Sequence, residues 1–90
     1  MDYKHYICVF KSKNMAVYML TILERLGHKN FQLISTPCGI KAGCSYSIKF
    51  SNMRYFTIIE REAIKIGAEI EGVYLAERRN GRRIIKKVII

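Results

Sequence analysis

Ninety residues, half of them hydrophobic and only one a proline, suit a single folded domain and exclude a disordered chain. No apolar run approaches the roughly 20 residues needed to cross a bilayer. The opening Met1-Asp2-Tyr3-Lys4-His5-Tyr6 lacks the layout of a secretory signal, so the expected compartment is the cytoplasm.

Lys4 to Phe10 is rich in aromatic and β-branched residues and reads as a strand. Its apolar side chains fall on both faces, Ile7 and Val9 on one and Tyr6, Cys8 and Phe10 on the other. A sheet with helices on one side leaves the second face to be covered by another subunit, as in a homodimer, or by the C-terminal hairpin. Ser12 is placed to cap a helix whose apolar positions Met15, Met19, Ile22, Leu23 and Leu26 follow helical spacing, with Gly27 as its stop. Phe31 to Ile34 is a second strand. Ser35 to Cys44, with one proline and two glycines, is a loop. Tyr46, Ile48 and Phe50 alternate with Ser45, Ser47 and Lys49 as a half-buried strand. Ser51-Asn52 caps a second helix with an inner stripe of Phe56, Ile59, Ala63 and Ile66, ended by Gly67. Val73 to Leu75 is a fourth strand. Asn80-Gly81 is a hairpin signal, and Ile84 to Ile90 returns as a fifth strand.

The order predicts an α+β fold, a ferredoxin-like βαββαβ sandwich over residues 1–76. Residues 77–90 form a basic C-terminal hairpin extension of the same domain. The net charge of +9 is uneven: from residue 76 onward Arg78, Arg79, Arg82, Arg83, Lys86 and Lys87 face only Glu77. Such a field attracts acidic protein partners or nucleic acid without naming either.

The sequence has no phosphate-binding glycine loop and no Ser/His/Asp set at a recognisable spacing. Its carboxylates are scattered among basic neighbours, with no pair arranged for acid–base work. Three cysteines at unequal spacing are not a disulfide framework. Cys8, inside a strand, reads as a small buried hydrophobe. Cys38 and Cys44 share the one long connection with five residues between them. Backbone N–H groups beside the loop glycines, and Lys41, are the kind of surroundings that lower a thiol pKa. A zinc site would need closer cysteine pairing and further ligands, for which only His5 and His28 are on hand.

Ser35-Thr36-Pro37, Ile40, Gly43-Cys44 and the strand Tyr46-Ser47-Ile48-Lys49-Phe50 resemble the signature of the selenium/sulfur carrier-like family of short bacterial proteins. Tyr6 to Phe10 resembles its first strand and Glu71 to Tyr74 its last, so the resemblance covers most of residues 5–76. It implies that Cys44 is the motif cysteine and that Thr36, Pro37, Gly43 and Ser45 support the loop. Many relatives have glycine where this chain has Ser45, and Cys38 is an addition to the motif. The implied chemistry is a carrier, not an enzyme. A donor such as a cysteine desulfurase passes sulfur or selenium to the Cys44 thiolate, giving a persulfide or selenosulfide, with no cofactor and no metal. Cys38 would serve as a resolving thiol, attacking the Cys44 sulfur, displacing the cargo and leaving a disulfide.

The competing expectation is RNA binding, with Tyr6, Phe10, Tyr46 and Phe50 as a stacking platform and the basic residues on phosphates. A third is a protein-interaction module docking through the hairpin edge.

Overall fold

A computed structural model describes residues 3–41 and 45–89. The chain runs β1 (Tyr3–Phe10), α1 (Met15–Arg25), β2 (Gln32–Ser35), β3 (Tyr46–Phe50), a short 3-10 turn (Met53–Tyr55), α2 (Phe56–Ile66), β4 (Ile70–Arg79) and β5 (Arg82–Ile89). The five strands form one sheet in the order β2-β3-β1-β4-β5, and every pairing is antiparallel.

The sheet separates two cores. On the helix side, Cys8 and Phe10 of β1, Ile48 and Phe50 of β3 and Val73 of β4 meet Ala16, Met19 and Leu23 of α1 and Phe56, Ile59 and Ala63 of α2. Phe50 is the hinge of this core. Its ring stacks on Tyr6 at 5.7 Å and on Phe56 at 6.5 Å, and lies tilted to Phe31 at 6.3 Å. On the opposite face, Ile7, Val9 and Ala76 form a smaller core with Ile34, Ile40, Tyr74 and Ile85 packed against it. The apolar outer residues of β1 are therefore covered from within the chain. Ile85 of the hairpin supplies part of that cover, as one sequence expectation held, and Ile40 of the cysteine loop supplies another part.

The helix ends differ in detail from expectation. Ser12 does not cap α1 with its side chain; its carbonyl accepts the Met15 N–H at 3.2 Å. Asn14 holds the cap position without a side-chain bond. Leu26 lies past the helix and is exposed rather than on the inner stripe. Asn52 does cap, its Oδ1 accepting the Arg54 N–H at 3.0 Å, but it starts the 3-10 turn that leads into α2. Gly67 ends α2 at φ +70°, a conformation glycine adopts without a Cβ penalty. Asn80 and Gly81 both take positive φ, +51° and +77°, as a two-residue hairpin of matched twist requires. β4 is far longer than the three residues expected. The hairpin draws it out by pairing β5 against residues from Val73 to Arg79.

Candidate functional site

The loop between β2 and β3 is pinned at its neck. Ser35 and Tyr46 are the last pair of the ladder, and the Thr36 N–H donates to the Ser45 carbonyl at 3.0 Å just beyond it. Beneath that bond the Thr36 Oγ1 and Ser47 Oγ hydroxyls share a buried hydrogen bond of 2.5 Å. Pro37 then starts a tight turn, its carbonyl accepting the N–H of Ile40 at 2.9 Å and of Lys41 at 3.2 Å. Proline suits this start because its fixed φ pre-sets the bend and its carbonyl remains available. The turn lies on the helix-free face: Ile40 joins the smaller core, and a Cβ built on Gly39 would stand 3.8 Å from Ile85 Cδ1. Lys41 reaches β4, its Nζ 3.7 Å from a Glu71 carboxylate oxygen. Its charge is thus shared with an acid.

Cys38 rides this turn with its side chain exposed. Cys44 and Gly43 lie outside the described residues. Ser45 is partly buried, and its hydroxyl has no hydrogen-bond partner among the described residues. Cys8 is fully buried in the helix-side core, and burial pushes its thiol pKa up to about 12. It is a packing residue and no nucleophile. Among the described residues no three His, Cys, Asp or Glu side chains gather closely enough to hold a metal ion. His28 instead sets its ring edge-on to Phe31 at 6.2 Å. Among the described residues no helix is long and apolar enough to cross a membrane.

The expected stacking platform is not one. Phe10 and Phe50 are each 2% exposed and face the helices, with Tyr6 stacked on Phe50 beside them. Of the four rings only Tyr46 is open. The strand parity that puts them on one face is the same parity that the helices cover. The basic hairpin is also not one patch. Alternation sends Arg83 and Lys87 to the helix-free face and Arg82 and Lys86 to the other. Arg79 pairs with Glu77 at 3.1 Å, and Lys87 lies over the Tyr74 ring at 5.9 Å.

Two features escaped the sequence reading. Glu62 was expected on a helix surface but is 5% exposed on α2. Its burial alone would raise its carboxyl pKa. Hydrogen bonds and charge from Lys65, then Arg61, outweigh that and hold it below the usual range. The second feature is a cleft on the helix-free face lined by His5, Lys49, Arg78 and Arg83, from four different strands. Only the strand order brings these four together. Burial, then the charges of Lys49 and Arg83, lower the His5 pKa from its ordinary 6.5.

A histidine depressed in the folded state takes up its proton first in the unfolded chain. Its contribution is intact above about pH 6.5 and is lost as pH falls through the folded value. Glu62 acts in the same direction lower down, its share present above about pH 4.5 and lost below it. Urea midpoints taken from pH 7.5 down to pH 5 should therefore fall for the native chain. They should fall less for His5→Gln; equal slopes would contradict the assignment.

No match to the chain was found among curated proteins or among solved structures. Residues 5–75 match the family described as Putative Se/S carrier protein-like. That stretch takes in most of β1, both helices, β2, the cysteine loop, β3 and the first part of β4, while β5 lies beyond it. With well over half of its residues inside that match, the chain belongs to the Se/S carrier protein-like family.

Proposed function

We propose that the protein is a sulfur or selenium carrier that holds its cargo on Cys44 as a persulfide or selenosulfide. The observation that carries this reading is the family match over residues 5–75, which contains the whole loop from Thr36 to Cys44. The geometry of the loop supports it. Cys44 is bonded to Ser45, whose carbonyl ties the loop neck to Thr36, and Cys38 stands exposed on the turn beyond. A neck held by one backbone bond and one buried hydroxyl pair anchors a loop without enclosing it, which suits a thiol that must meet two partners in turn. The all-antiparallel order β2-β3-β1-β4 also supports reading the frame as ferredoxin-like, with β5 added at its edge.

In this reading the Cys44 thiolate attacks the terminal sulfur of a donor persulfide, as on a cysteine desulfurase. The S–S bond of the donor breaks, its cysteine leaves as thiolate, and Cys44 keeps the transferred sulfur. The cytoplasm, where thiols stay reduced, is the setting that keeps Cys44 ready for this step. Delivery by attack of Cys38 on the Cys44 sulfur displaces hydrosulfide and leaves a Cys38–Cys44 disulfide, which a cellular dithiol must then reduce.

Mass spectrometry of the reduced protein after incubation with a cysteine desulfurase and cysteine tests this. A sulfur adduct that maps to Cys44, persists in Cys38→Ser and vanishes in Cys44→Ser is the expected result. No adduct, with a Cys44 thiol that alkylates like any exposed cysteine, would overturn the reading.

A further inference from the structure

Among the described residues no cysteine lines the cleft on the helix-free face, and its composition is that of an anion site. Its volume is about 300 Å³, at the lower end of the range for small-molecule pockets. Ile34 and Ala76 give it an apolar floor, and Ser35 stands at its rim, one residue before the loop neck. Lys49, Arg78 and Arg83 bring three positive charges to it beside the His5 imidazole. Lys49 and Arg83 have no carboxylate within ion-pair distance among the described residues. The one acid on the lining, Glu77, is engaged by Arg79 through contacts of 3.1 and 3.2 Å.

Arg78 and Arg83 are direct cross-strand partners, and like charges placed opposite one another destabilise a strand pair. Burial, then the charges of Lys49 and Arg83, lower the His5 pKa in the same cleft. A ligand carrying two negative charges would complement the Lys49 and Arg83 charges that line the cleft beside His5. A guanidinium and an ammonium lining one cleft from two strands suit the oxygens of a phosphate.

We propose that this cleft binds the phosphate group of a small phosphorylated molecule. Two observations favour a small ligand over an RNA strand. Arg82 and Lys86 lie on the other face of the sheet, so the hairpin charges are divided between the two faces rather than gathered along the cleft. Phe10 and Phe50 are buried against the helices, the open Tyr46 ring lies on their face of the sheet and not on that of the cleft, and on the helix-free face Tyr74 is half-buried with Lys87 over it. The site stands whether or not Cys44 carries a chalcogen.

The test is an NMR titration of the full chain with pyrophosphate and with a nucleoside monophosphate, following the His5 ring against His28 as internal reference. Saturable shifts at His5, with half-saturation below about 1 mM, and a His5 pKa that rises on binding are expected. Lys49→Gln and Arg83→Gln should each weaken binding about tenfold, while Lys13→Gln, in the link between β1 and α1 and not on the cleft lining, should not. Absence of saturation, or equal loss in Lys13→Gln, would show only general charge and overturn the site. A single-stranded RNA 12-mer forms the other arm. Binding to it that is much tighter than to the monophosphate, falls steeply with salt and spreads its shifts over Arg82 and Lys86 would overturn the small-molecule assignment in favour of nucleic acid.

Discussion

Phe50→Ala is expected to cost about 3–5 kcal/mol of stability. The side chain is 2% exposed, and its ring touches β1 through Tyr6, the entry to β2 through Phe31 and α2 through Phe56. Truncation removes the area buried by one large ring and strands three aromatic partners that lose their stacked or tilted geometry. A domain of this size has roughly 5–13 kcal/mol in total, so a loss of this order should lower the melting temperature by well over 10 °C. Tyr46→Ala is the matched control. It lies on the same face of the same strand but is 46% exposed, and its loss should stay near 1 kcal/mol or below. Urea unfolding of the two variants decides the matter; similar midpoints would mean that the helix-side core is not centred where the rings place it.

Thr36→Val is expected to destabilise the protein by about 1–3 kcal/mol, although valine fills nearly the same space. The substitution leaves the Ser47 hydroxyl, fully buried in β3, without the partner it has at 2.5 Å. An orphaned buried hydroxyl bears its desolvation cost with nothing in return. Adding Ser47→Ala should recover most of the loss, because both polar groups then leave the interior together. Such recovery in a double-mutant cycle would identify the hydroxyl pair as the source of the effect. Hydrogen exchange at the Thr36 amide, which donates to Ser45, should be faster in Thr36→Val than in the double variant. Losses that simply add would instead make the neck a matter of backbone pairing alone.

The elements were legible where one local signal governed them. Alternation in Tyr46 to Phe50, helical spacing in α2 and the Asn80-Gly81 pair each report a backbone period or a positive φ that neighbouring residues impose. Detail was lost where tertiary contacts decide. Ser47 reads as a polar, outward position in the alternation, yet it is fully buried because the loop neck folds Thr36 against it. Glu62 reads as a surface acid, yet it falls three residues after Ile59 on the inner stripe, and Lys65 and Arg61 make that burial tolerable. The apolar outer face of β1 was visible in Ile7 and Val9, but nothing local in the sequence shows that Ile40 and Ile85 cover it. The cleft was the least visible feature. His5, Lys49, Arg78 and Arg83 are far apart in the chain, and each alone looks like an ordinary solvated residue.

The two cores share β1 but not their outer layers, and this separates the motion of the turn from the stability of the fold. The turn rests on the smaller core through Ile40, half-buried, and on β4 through the partly exposed Lys41–Glu71 pair. Lifting it exposes about half of one isoleucine and breaks a bond that solvent already screens, a cost of about 1–2 kcal/mol. A cost of that size would leave on the order of one molecule in six to one in thirty with the turn raised, while the helix-side core around Phe50 stays closed. Cys38 would then change its surroundings, seated on the sheet or held away from it, with the core around Phe50 still packed.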